Sequence, residues 1–156
     1  MWLFRPAYPA EAAEACVVIR RSIEELCGLD HGDDPGILDA WLANKTPERV
    51  LSWIETNPGG VLVGVGAGDI AGVGCVLSDG TIALNYVAPW AQRQGVGKGL
   101  VRAMEGVAAE AGHTACTLTS TTTAQGFYLA YGYEAAGEPV RSFGGKPAFP
   151  MRRIIT

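Results

Sequence analysis

The sequence predicts one α+β domain, residues 1–156, with a mixed, largely antiparallel central sheet flanked by helices. Two periodicities and one bulk property predict it. Apolar residues recur at helical spacing over residues 11–27 and again over 97–111. Between those stretches, three short apolar runs are joined by turn residues, the mark of an antiparallel meander. A chain of 156 residues that is 48% hydrophobic is long and apolar enough to bury a core. Its mean hydropathy of +0.15 argues against a disordered chain.

Taken in order, residues 4–7 read as a first strand that ends at Pro9. Ala12, Ala15, Cys16, Ile19, Ile23, Leu26 and Cys27 then form one helical face, with Arg20 and Arg21 opposite. Residues 28–36, rich in Gly, Asp and Pro, predict a loop, and 37–42 a weak helix. Thr46-Pro47-Glu48 is a helix start, with threonine as cap and proline at the first helical position, leading into Val50, Leu51, Trp53 and Ile54. After Asn57-Pro58-Gly59 the period changes to three strands, 61–67, 70–77 and 81–87, joined by Gly68-Asp69 and Ser78-Asp79-Gly80. The helix over 97–111 buries Leu100, Val101, Met104, Val107, Ala108 and Ala111, with Gly112 as its stop. A strand at 115–119, a helix at 124–131 closed by Gly132, and strands at 133–136 and 148–154 complete the sheet. No linker, repeat or low-complexity segment divides the chain.

Charge and cysteine usage exclude several function classes. A net charge of −4 and a pI near 5.1 argue against a general nucleic-acid binder, whose affinity rests on clustered Lys and Arg. No apolar run reaches the roughly 18 residues of a membrane span. Met1–Pro6 lacks a basic segment followed by an apolar one, so no secretory signal is expected and the cytoplasm is the expected location. Cys16, Cys27, Cys75 and Cys116 form no C-x-x-C pair and sit in apolar runs, as buried free thiols do. With His31 and His113 the only histidines, no metal site is expected.

The most informative stretch runs from Val87 to Leu100, where a strand, a glycine-rich turn and an amphipathic helix follow one another. Backbone N–H groups at a helix N-terminus make an anion site, and Gly95, Gly97 and Gly99 let a phosphate come close. A P-loop would need glycine at Gln92 and a hydroxyl at Gly99; a dinucleotide fingerprint would need glycine at Leu100. Both fail. The pattern V-x-P-x-x-[QR]-x-x-G-x-[GA] is met at every position, by Val87, Pro89, Gln92, Gly95 and Gly97. This resembles the acetyl-coenzyme A loop of the GNAT superfamily of N-acetyltransferases. The element order is also that of the GNAT fold, so the resemblance spans almost the whole chain.

The resemblance implies acetyl-coenzyme A as co-substrate. Its pyrophosphate is expected on the N–H groups of Gln94, Gly95, Val96, Gly97, Lys98 and Gly99, favoured by the helix dipole. Arg93 and Lys98 either add positive charge there or point into solvent, and Gln92 braces the turn or meets the phosphate. The pantetheine would pair with backbone near Val87, where two strands splay, and the Val87 N–H would face the thioester carbonyl. A second element, Ala124-Gln125-Gly126-Phe127-Tyr128-Leu129-Ala130-Tyr131-Gly132-Tyr133, is similar to the family's A-x-x-F-Y-x-x-x-G-[FY] motif. It implies Phe127 beside the pantetheine and Tyr128 as general acid to the departing thiolate. Thr121 stands where the family often has Asn, in a Ser/Thr run that caps the helix instead.

The strand before the loop, Thr81-Ile82-Ala83-Leu84-Asn85-Tyr86-Val87, has no carboxylate to serve as base. Asn85 shares a face with Val87 and is suited to orienting substrate or water. A water relay, or Glu24, Asp30 or His31, is left for the base. The family's acceptor pocket maps to residues 29–34 and 141–146. There the acidic loop suits a cationic amine and Arg141 a carboxylate, and Phe143 is a further candidate for substrate binding. The expected function is acetyl transfer to a primary amine of a small molecule by direct attack in a ternary complex. A non-catalytic acyl-coenzyme A sensor and a peptide or protein N-acetyltransferase stay open as alternatives. Trp2 and Trp90 suit either a homodimer interface or the core.

Overall fold

The computed structural model describes residues 1–155. The strands are β1 (Leu3–Pro6), β2 (Val61–Gly66), β3 (Asp69–Val76), β4 (Thr81–Val87), β5 (Ala115–Ser120), β6 (Glu134–Ala135), β7 (Val140–Arg141) and β8 (Pro147–Ile154). The helices are α1 (Ala12–Leu26), α2 (Gly28–His31), α3 (Pro35–Leu42), α4 (Pro47–Thr56), α5 (Val96–Glu110) and α6 (Gln125–Tyr131). The sheet runs β1-β2-β3-β4-β5-β8, and the short β6 and β7 both pair with β8. Every pairing is antiparallel except β4 with β5, which gives the mixed, largely antiparallel sheet expected.

Local chemistry explains the element ends. Thr46 Oγ1 accepts the Arg49 N–H at 3.2 Å and Pro47 opens α4, as the sequence implies. The run 28–36, expected as a loop, instead contains the helical turn α2, and α3 begins at Pro35 rather than 37. Asp34 Oδ1 accepts the N–H groups of Gly36 and Ile37 at 2.9 and 3.1 Å, so α3 is capped earlier than its apolar residues suggest. The last hairpin also differs: β6 has two residues, and β7 is an additional short strand.

Helix α5 packs on β2, β3 and β4. Glycines in the sheet make room for it. A Cβ on Gly72 would lie 2.7 Å from Val96 Cγ1, and one on Gly74 2.9 Å from Met104 Sδ. Val73 and Cys75, on the alternate face of β3, are also buried, and α1 is the other long helix in contact with that strand. The sheet is therefore sandwiched between α5 and α1. Among the described residues no helix is long and apolar enough to cross a membrane.

Candidate active site

The site begins where β4 and β5 separate. Only Thr81↔Thr117 and Ile82↔Leu118 pair; beyond them the strands diverge. On its other side β4 stays bonded to β3 as far as Val87, with a bulge that leaves Ala83 without a partner. Ala88 N–H donates to Ala71 O at 2.7 Å, so Ala88 and Tyr86 turn their polar backbone groups toward β3. By strand alternation, the N–H and C=O groups of Asn85 and Val87 face the opening wedge. A cavity of about 430 Å³ fills that wedge.

One end of the cavity is the glycine loop. Arg93 and Gly95 have φ of +63° and +84°, two left-handed residues that turn the chain sharply into α5. Gly99 N–H bonds to Gly95 O at 3.0 Å and is the first turn closed across the helix start. The N–H groups of Val96, Gly97 and Lys98 precede it and have no helical acceptor. They, with Gln92, Arg93 and Lys98 side chains, border the cavity. A Cβ on Gly97 would sit 3.4 Å from Val87 Cγ2 and 3.6 Å from Phe127 Cζ, so its absence keeps a slot open between those side chains. Pyrophosphate and pantetheine fit this cradle: free donors at a helix N-terminus, two cationic side chains, and an unpaired strand edge.

The far wall is α6. Tyr128 is 6% exposed and is held edge-on between Phe127 and Tyr133, at centroid distances of 5.1 and 5.6 Å. Asn85 Nδ2 donates to the Tyr128 hydroxyl at 3.2 Å. The phenol therefore has an acceptor role filled and its own proton free. Burial pushes its pKa up, against the smaller opposing effect of Asn85, so it stays protonated at neutral pH. Asn85 Oδ1 is the one buried side-chain N or O atom without a partner among the described residues.

Of the residues singled out from sequence, the fold brings Asn85, Val87, Gln92, Arg93, Gly95, Val96, Gly97, Lys98, Phe127 and Tyr128 to this one cavity. The others lie elsewhere. Gly99 does not face a phosphate: its Cβ position is 2.0 Å from Phe4 Cζ and its N–H is spent within the helix. Gln94 is exposed, its carbonyl accepting Trp2 Nε1 at 3.0 Å. Trp2 lies 6.1 Å from Trp90, so this pair braces the loop from outside. His31 is fully buried; Nε2 lies 2.9 Å from Ile23 O and Nδ1 accepts the Asp33 N–H, which removes it from the cavity. Glu24 is exposed on α1, and Arg141 is exposed on β7; neither lines the cavity. Phe143 stacks on Trp41 at 5.8 Å, beside a separate void of about 20 Å³.

Asp30 has a different task from the base considered for it. Its carboxylate accepts Thr122 N–H at 2.7 Å, Thr123 N–H at 3.1 Å and the Thr123 hydroxyl, tying α2 to the loop before α6. Sequence reasoning missed the wall formed by Ser22 and Leu26 of α1, by Cys27 just after it, and by Thr119 and Ser120 of β5. No local signal marks them, because they face the cavity only once α1 lies across the wedge.

An acetyltransferase (GNAT) domain model matches residues 44–155. No curated protein is significantly similar to the chain. Among solved structures, a GCN5-related N-acetyltransferase from Rhodopseudomonas palustris superposes with a TM-score of 0.85 at 24% identity, over 97% of this chain and 94% of that one. PaiA N-acetyltransferase from Thermoplasma acidophilum, solved in complex with coenzyme A, gives 0.77 at 14% identity over 99% of each chain. YncA from Salmonella typhimurium, solved with its cofactor acetyl-CoA, gives 0.75 at 17% identity, over 100% of this chain and 95% of that one. At these identities the likeness is of fold. The matched domain covers most of the chain: this chain belongs to the GNAT acetyltransferase family.

Proposed function

We propose that the chain is an acetyl-CoA-dependent N-acetyltransferase that acts on a primary amine of a small molecule by direct attack in a ternary complex. The observation that carries this reading is the Asn85–Tyr128 pair. It sets a protonated phenol and an unpartnered amide oxygen side by side in the wedge that the glycine loop closes. Acetyl-CoA supplies the acetyl group activated as a thioester. Val96, Gly97 and Lys98 N–H groups hold its pyrophosphate, with Arg93 and Lys98 adding charge. The Val87 N–H donates to the thioester oxygen as negative charge builds there. Tyr128 gives its proton to the departing sulfur. A thiol of pKa near ~8.5 already leaves tolerably, so this help is modest and positioning supplies most of the rate. The cavity volume of about 430 Å³ is within the ~300–1,000 Å³ of small-ligand sites, and the pantetheine end of acetyl-CoA and the acceptor would share it.

The test is thiol release from acetyl-CoA across a panel of amines, followed beside calorimetric binding of coenzyme A. Release that depends on a small amine supports the reading. Binding with no amine-dependent release would make the chain a sensor, and release only with peptides would move the acceptor to proteins.

A further inference from the structure

Among the described residues no carboxylate and no imidazole lines the cavity. From α1 it is faced by Ser22, and from the residue after that helix by the Cys27 thiol, which burial pushes up to about 12. From β4 come Asn85 and Tyr86, the latter also shifted upward by burial, and from α6 comes Tyr128. The loop before α6 adds hydroxyls only. All of these are uncharged at neutral pH. The charged side chains that reach the cavity are Arg93 and Lys98, both cationic. Asp30 lies behind the wall with its oxygens taken by three donors from Thr122 and Thr123. An ammonium entering this space would be desolvated, would meet no counter-charge, and would find no base to accept its proton. A primary alkyl amine with a pKa near ~10.4 is neutral in only about one molecule in 2,500 at pH 7.

On the reading that this is an N-acetyltransferase, we propose that its acceptor is a weakly basic amine, uncharged at neutral pH and carried on an apolar body, whose N–H is received by Asn85 Oδ1. That oxygen is the orphaned buried acceptor of the structure, and its amide nitrogen is already committed to Tyr128. Asn85 thus links the nucleophile to the acid through one side chain. The nitrogen lone pair attacks the thioester carbon, the C–S bond breaks, Tyr128 protonates the thiolate, and the proton lost from nitrogen returns through water.

p-Toluidine and benzylamine are isomers of equal size that differ mainly in basicity, so they isolate the property at issue. At pH 7 the kcat/KM of p-toluidine should exceed that of benzylamine by about tenfold or more, and its pH profile should stay flat through neutrality while benzylamine's climbs with pH. Asn85→Leu should raise the KM for p-toluidine and leave that for acetyl-CoA unchanged. Asn85→Asp should shift the preference toward benzylamine by adding the missing counter-charge, a change that no structural role for Asn85 would produce. Faster turnover of benzylamine by the wild type overturns the proposal while leaving acetyl transfer intact. A rise in KM for acetyl-CoA in Asn85→Leu would assign the orphaned oxygen to the pantetheine instead. Failure to release thiol with either amine, in a protein that binds coenzyme A and turns over other amines, also overturns it; failure with every amine overturns acetyl transfer itself.

Discussion

Replacing either of two glycines of α5 by alanine should change stability in opposite directions. Gly106 is exposed, and a Cβ there would have nothing within 4 Å. Gly106→Ala therefore gains only helix propensity, about 0.5–1 kcal/mol. At Gly99 the same methyl would lie 2.0, 2.3 and 2.8 Å from three atoms of the Phe4 ring. The ring already packs against Gly64 of β2, where an added Cβ would lie 2.9 Å from Phe4 Cε1, so Phe4 sits between two glycines. Ring and strand must shift by more than an ångström, an overpacking cost of ~1–3 kcal/mol. After the propensity gain, Gly99→Ala should lose about 1–2 kcal/mol. For a domain of this length that is a fall in Tm of roughly 2–8 °C, against a rise of roughly 1–4 °C for Gly106→Ala. Both are read by thermal unfolding followed by circular dichroism. Below its transition, Gly99→Ala should bind acetyl-CoA as the wild type does, since Gly99 faces Phe4 and not the cavity. A Gly99→Ala protein as stable as the wild type would refute the packing role, and one that is stable but binds acetyl-CoA poorly would return Gly99 to the phosphate cradle.

Tyr128→Phe should lower kcat about 10²-fold, the lower end for acid–base catalysis, with coenzyme A affinity unchanged by calorimetry; an unchanged kcat would remove Tyr128 from the mechanism. Gly97→Val should fold normally, because the new Cβ meets Val87 and Phe127 at ordinary contact distances, but its methyls fill the slot. The KM for acetyl-CoA should then rise on the order of tenfold, equivalent to about 1.4 kcal/mol. Asp30→Asn turns an NH₂ group toward N–H donors and should cost about 1–3 kcal/mol, seen as a lower urea midpoint at unchanged slope. The Glu11 carboxyl is held below its ordinary value of 4.5, first by the Arg5 guanidinium at 2.8 Å and then by the Tyr8 N–H. A depressed folded-state value adds stability that is complete above the ordinary carboxylate range and is lost as pH falls through the folded value. Glu11→Gln should thus flatten the acid limb of the stability profile, with the difference from wild type largest at neutral pH.

The parts legible in the sequence are those whose physics is local. Helical spacing in α1 and α5 reports which side of each helix is apolar, and the Thr46-Pro47 start of α4 satisfies its own first N–H groups. The glycine loop and the Phe127-Tyr128 pair are contiguous, so their spacing alone carries the likeness to the family. The loop-forming residues around Asp34 hid the turn α2 and the start of α3, which the Asp34 side chain caps.

What periodicity cannot report is what covers a face once the chain is packed. His31 and Glu24 are equally polar in sequence, yet one is sealed behind Ile23 and Asp33 and the other is left in solvent. Gly99 differs from Gly97 by two positions, which on a helix is a turn of about 200°, from the cavity to Phe4. The Asn85–Tyr128 hydrogen bond joins residues 43 apart, and the Asp30 carboxylate reaches donors about 92 positions away. The sequence by itself determined the main helices and strands and carried the glycine-loop pattern that resembles an acetyl-coenzyme A site, because those depend on neighbours along the chain. The tertiary structure alone decided that the cavity holds no carboxylate among the described residues and that Asn85 is left with an unanswered acceptor, because those depend on how far β4 and β5 part and on which groups α1 and α6 bring to the gap.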